Sequence, residues 1–262
     1  MRACARDKYL GMENYNNQGF LMKIVDYINF NKVTVEFAEP YKHIVKSRIR
    51  DFTKGTIQNH NAPSLCDVGI VGYKYPTHDE SGKRCLKEYQ TWTNMIKRCY
   101  DEEHRYKNPA YYDVSVCDEW LYYPNFYEWI RSQENYNILM SINDMAIDKD
   151  ILVKGNREYK PDRCCLVPTN VNNILLKSDA IRGDLPLGVH YAKKNKKYIA
   201  SCGGKKNHTY LGIYSTPEEA FEVYKEFKER QIKKLAEEEY QKHTIIKPCY
   251  EALMNYKIEI TD

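Results

Sequence analysis

The alternation of apolar and polar positions divides the chain into three sections. In the first, up to about Gly72, residues 21–28 and 32–37 alternate, with Asn29, Phe30 and Asn31 between them. Val33, Val35 and Phe37 then share one face, as a half-buried strand requires. The pattern predicts a β-hairpin in a small β-rich module over residues 1–72. Residues 51–55 read as a turn, and residues 73–82, with Pro76, Asp79, Ser81 and Gly82, read as a linker. In the second section, 83–178, Leu86, Tyr89, Trp92, Met95, Ile96 and Cys99 recur at helical spacing. The aromatic run 111–120 reads as β-like and 126–130 as helical. In the third, 185–262, residues 187–191, 197–202 and 209–214 read as three short strands, with turns at Asn195 and Gly203-Gly204. A helix follows: Thr216 suits the N-cap, Pro217 the first helical position, and Glu219 completes a capping box. Ala220, Val223, Phe227 and Leu235 supply its buried face. The expected fold class is α+β.

Composition excludes one class of function. The mean hydropathy of −0.72 and 29% charged residues do not suit a membrane protein, and no run approaches the ~18 apolar residues of a spanning helix. The first eight residues have no apolar core of a signal peptide. A cytoplasmic protein is expected (the host's cytoplasm, if phage-encoded), with no membrane partner. The net charge of +4 is unevenly spread: +4 over 1–60, −3 over 61–180 and +3 over 181–262. Nine cysteines without Cys-x-x-Cys spacing argue against a zinc ribbon and for reduced core thiols. Oligomeric state is left open.

Most of the candidate chemistry lies between Ala146 and Asn173. The pattern is a strand over 146–150, a loop over 154–163 centred on Gly155-Asn156, and a second strand over 164–167. Pro168 ends that strand, and Thr169 caps a helix running through Leu176. Such a ββα hairpin can bring the end of its first strand beside the first turn of its helix. Asp148 and Asn172 are 24 positions apart but could meet there. One carboxylate and one amide oxygen make a hard, open site, as one magnesium or manganese ion prefers.

Asp148, Asp150, Gly155-Asn156, Tyr159, Pro161, Cys164, Val167-Pro168 and Val171-Asn172 together resemble phage HNH-type homing endonucleases. Trp92, Met95, Arg98-Cys99-Tyr100, Val116–Trp120, Phe126 and Trp129 are similar to segments that precede the nuclease motif in those proteins. The resemblance covers about 88–177. It implies metal ligands at Asp148 and Asn172, with Asn173 as the register alternative. It puts Lys149 at the position of the catalytic histidine and Arg163 near that of the central asparagine. A lysine, with an unperturbed pKa of ~10.4, is a poor base at neutral pH. The implied roles are therefore phosphate contact or polarisation by Lys149 and offsetting of transition-state charge by Arg163. His60, His78 and His104 are alternative sources of a base.

Residues 188–209 hold six lysines and no Asp or Glu. A basic strip on a three-stranded sheet, interleaved with tyrosine, is an electrostatic footprint for a phosphate backbone, and a sheet face can enter the major groove. Gly188-Val189, Tyr198, Ala200, Tyr210-Leu211-Gly212, Tyr214, Thr216, Glu218-Glu219-Ala220 and Tyr224 resemble the Apetala-two/ethylene-response-factor DNA-binding domain over about 186–230. The candidate DNA-contacting residues are His190, Lys193, Lys194, Lys196, Lys197, Tyr198, Lys205, Lys206, His208 and Tyr210. The plant proteins' arginines and tryptophans are missing, so their base preference is not carried over. A weaker similarity of Asn17, Gly19, Val33, Val35, Phe37, Asp51-Phe52 and Gly55 to a β-module preceding such nucleases suggests auxiliary nucleic-acid contact. Double-stranded DNA is thus the expected partner and metal-dependent nicking or cutting the expected activity. Two alternatives stand beside it: a non-cutting DNA-binding regulator on the same scaffold, and a protein-interaction factor acting against host defence.

Overall fold

The computed structural model describes residues 5–175, 185–203 and 208–260. The fold is α+β, and the chain divides into two compact units, Met1–Glu128 and Trp129–Asp262.

The first unit opens with helix α1 (Ala5–Tyr9) and a four-stranded antiparallel sheet in the order β1 (Glu13–Tyr15), β2 (Leu21–Asn29), β3 (Lys32–Phe37), β4 (His43–Ser47). The alternation that predicts the hairpin also selects its buried face. Met22, Ile24, Tyr27, Val33, Val35 and Phe37 form one core with Ile49 and Phe52 of α2 (Ile49–Thr53). Where a turn was expected over 51–55 the chain completes this short helix first, because Ile49 and Phe52 bury against the sheet. Gly55 (φ 67°) then ends it, and a Cβ there would lie 2.9 Å from the Tyr15 carbonyl oxygen.

Helix α3 (Lys87–Tyr100) buries Trp92, Met95, Ile96 and Cys99, as its spacing predicts. The run 111–120 is not one strand. Pro109–Tyr111 form a 3₁₀ turn, β5 is only Ser115–Val116, and α5 spans Asp118–Leu121 after α4 (Glu102–Lys107). The proline favours a turn before β5, and the two carboxylates Asp118 and Glu119 favour a helix start after it. The Tyr100 hydroxyl satisfies both backbone groups of Val116, at 3.0 and 3.3 Å. Segment 73–82 is tied down within this unit: Tyr75 stacks on Tyr127 and the Tyr123 hydroxyl donates to the Pro76 carbonyl (3.2 Å). Helix α6 (Tyr123–Ser132) follows.

The second unit contains α7 (Tyr136–Ser141), β6 (Ala146–Asp148), β7 (Glu158–Tyr159), β8 (Cys165–Val167), α8 (Thr169–Ile174), β9 (Val189–Ala192), β10 (Lys197–Cys202), β11 (Thr209–Tyr214), α9 (Pro217–Gln241) and α10 (Lys247–Met254). β6 and β8 pair antiparallel, with Asp148 opposite Cys165, and β9–β11 form a separate antiparallel sheet with β10 central. One hydrophobic core joins them. Cys165, Val167 and Val171 of the hairpin and its helix pack in the same cluster as Val189 and Ala200 of the sheet, Phe221 and Tyr224 of α9, and Cys249 and Leu253 of α10. Glu239 strengthens the join. It accepts from Thr244 (2.7 Å), Asn170 of α8 (3.1 Å) and Lys242 (2.9 Å).

Candidate functional site

The hairpin holds its loop through side chains rather than a continuous ladder. Asp148, the last residue of β6, turns its carboxylate back on the chain, and Oδ1 accepts from the Asp150 and Ile151 amides at 2.7 and 2.8 Å. Burial pushes this carboxyl above the usual aspartate range, against the pull of those two amides. Lys149 is 11% exposed, and its Nζ donates to Asp150 Oδ2 (2.6 Å) and to the Asn156 carbonyl (2.9 Å). Asn156 is the hub of the loop. Its Nδ2 donates to the carbonyls of Lys149 (2.9 Å) and Glu158 (2.7 Å), and its Oδ1 accepts from the Glu158 amide (3.2 Å) and Arg163 Nη1 (3.3 Å). Gly155 (φ 78°) makes the reversal in front of it. Arg163 therefore supports the loop through Asn156.

Helix α8 begins at Thr169, but Thr169 is not its cap. The oxygen comes from Asp144, whose Oδ1 accepts the Thr169 amide (3.1 Å) and also the Thr169 hydroxyl. Val171 is fully buried and holds α8 against β6, so the elements carrying Asp148 and Asn172 lie together. Leu176, the expected helix end, lies outside the described residues. The donor types, one carboxylate and one amide, fit a hard divalent ion that keeps waters and takes phosphate oxygens. Among the described residues no group of three His, Cys, Asp or Glu could hold a metal ion. His60, His78 and His104 all belong to the other compact unit. His60 lies edge-on to Tyr73, 5.0 Å between ring centroids, and burial and the nearby His43 lower its pKa.

The three-stranded sheet has one covered and one open face. Ala200 pairs with Val189 and Gly212, and it is buried with Val189 beneath Phe221 and Tyr224 of α9. One residue back, Ile199 pairs with His190 and Ile213; directly opposed residues share a face, so this row points away from α9. Lys197, opposite Ala192, and Tyr210, opposite Ser201, lie on the same open face. His190, Lys197 and Tyr210 are exposed there. Tyr198 faces the other way, half-buried against the core with its ring 5.2 Å from that of Tyr191. Lys193, Lys194 and Lys196 are exposed in the β9–β10 turn, and His208 is exposed just before β11. Lys205 and Lys206 lie outside the described residues. The described part of the strip carries Lys193, Lys194, Lys196 and Lys197 and no carboxylate.

No family model, curated protein or solved structure matches this chain. Its chemistry rests on its own residues.

Sequence reasoning missed Asn156 as the organiser of the loop, although the Gly-Asn pair was visible as a reversal. It also missed Asp144, whose capping role spans 25 positions. No helix among the described residues is long and apolar enough to cross a membrane.

Proposed function

We propose that this chain is a DNA-binding protein of the HNH endonuclease type, gripping duplex DNA with its lysine-bearing sheet and hydrolysing a phosphodiester bond at the hairpin. The observation that carries this reading is the order strand, pinned loop, strand, helix. Asp148 lies at the first strand's end, Asn172 lies in the helix packed against that strand, and the sheet that carries the lysines shares their core through its opposite face. Asp148 and Asn172 would hold a magnesium or manganese ion, which supplies charge neutralisation at the phosphate and activation of water. The lysines of the β9–β10 turn bind the backbone electrostatically. Lys149 would contact or polarise the phosphate, and Arg163 holds the loop that presents it.

A second reading, DNA binding without cleavage, draws support from one observation. Lys149 is already engaged by Asp150 and the Asn156 carbonyl, and Asp148 Oδ1 by two amides.

Supercoiled plasmid separates the two. With magnesium or manganese, the first reading expects nicked circles that disappear with chelator and in Asp148→Asn, which keeps the Oδ1 acceptor while removing the charge. Plasmid that is retarded on a gel but stays supercoiled supports the second reading. Neither nicking nor retardation would overturn both.

A further inference from the structure

The open face of the β9–β11 sheet is charged at one end and apolar in the middle. Its central row is His190, Ile199 and Ile213, one residue from each strand. Neither isoleucine belongs to the core cluster beneath α9, and both are only half-buried. Tyr210 on the same face is 59% exposed. The exposed Lys193, Lys194, Lys196 and Lys197 gather at one end, without a carboxylate among them. Two β-branched apolar side chains in the middle of a solvent-facing sheet add nothing to the core they point away from.

Resting on the DNA-binding reading above, we propose that Ile199 and Ile213 read the 5-methyl group of thymine in the major groove, giving a preference for thymine-bearing steps. The partner chemistry follows from the residues. The lysine-rich turn is complementary to a polyanion, and a sheet face fits the major groove. Inside that groove thymine is the base that offers a methyl group, and apolar side chains contact it, whereas guanine is read by bidentate cations. The centre of this face holds no arginine or lysine. The charged turn then supplies affinity and the isoleucine pair supplies discrimination.

The test compares the full chain on poly(dA-dT) and poly(dA-dU), duplexes that differ only in the methyl group, by fluorescence anisotropy at fixed salt. Removing one methyl contact costs about four-fold in affinity, the worth of one buried methylene-sized group. Two contacts then give about a ten- to twenty-fold preference for the thymine polymer. Ile199→Ala and Ile213→Ala lie outside the core cluster beneath α9, so both should still fold with a single cooperative melting transition. Each should cut the preference to about four-fold, mainly by weakening binding to the thymine polymer, and the double variant should bind the two polymers alike. Equal, tight, salt-sensitive binding of both polymers by the wild type would overturn the methyl readout and leave DNA binding standing. An undiminished preference in the double variant would also overturn it, by assigning the preference to groove shape. Failure to bind either polymer would overturn the DNA-binding reading itself, and the readout with it.

Discussion

At the scale of single residues, Asp148 is a half-buried carboxylate held by two backbone amides, and this sets its pH dependence. Its pKa is raised in the folded chain, so ionisation costs stability. That cost is absent below the ordinary aspartate range, grows as pH rises through it, and is complete above the raised folded value. The substitution Asp148→Asn keeps the acceptor without the charge. This variant should therefore melt higher than wild type at neutral pH, with the gap closing on acidification; a variant less stable at neutral pH would contradict this account. Gly188 makes a second case. It sits at φ 76°, and a Cβ there would lie 2.0 Å from Tyr224 Cδ2. Gly188→Ala combines a left-handed backbone with overpacking and should lose about 2–5 kcal/mol of unfolding free energy in denaturant titrations. An unchanged midpoint would contradict the packing described.

At the scale of elements, α8 of the hairpin module is tied to the end of α9 through Glu239. Burial alone would raise that carboxyl, but hydrogen bonds from Thr244, Lys242 and Asn170 hold it below the usual glutamate range. A depressed folded pKa contributes stability above the ordinary value and loses it as pH falls through the folded one. Glu239→Gln should cost about 1–3 kcal/mol at neutral pH, because a charge-assisted acceptor is replaced. The loss should vanish in acid, as melting curves at several pH values would show; a pH-independent loss would contradict it. The legibility of these elements followed the range of their causes. The capping box at Thr216–Glu219 was visible because its partners are three residues apart, and both of its hydrogen bonds form. The ββα order was visible because Pro168 and the apolar runs punctuate it. The run 111–120 was misread as one β-like segment because its apolar and aromatic positions outweighed Pro109 before it and the Asp118-Glu119 pair within it, which favour a turn and a helix start. The cap on α8 from Asp144 and the tie from Asn170 to Glu239 were illegible for another reason. Each joins residues that only the folded chain brings together.

At the scale of the whole molecule, the second compact unit contains both candidate sites, and they share one core. The lysine strip is built into the same packed unit as the hairpin, so on the proposed reading the phosphate grip and Asp148 belong to one body. The central claim is DNA binding through that strip, and salt dependence tests it most directly. Duplex affinity should be measured against salt for the wild type and for a variant with Lys193, Lys194, Lys196 and Lys197 all changed to glutamine. Each phosphate contact contributes about 0.9 to the slope of log affinity against log salt. The wild type should bind with a steep slope, and the variant should bind more weakly with a slope shallower by about 2–4. Wild-type protein that does not bind duplex at low salt, or a variant with an unchanged slope, would contradict the account.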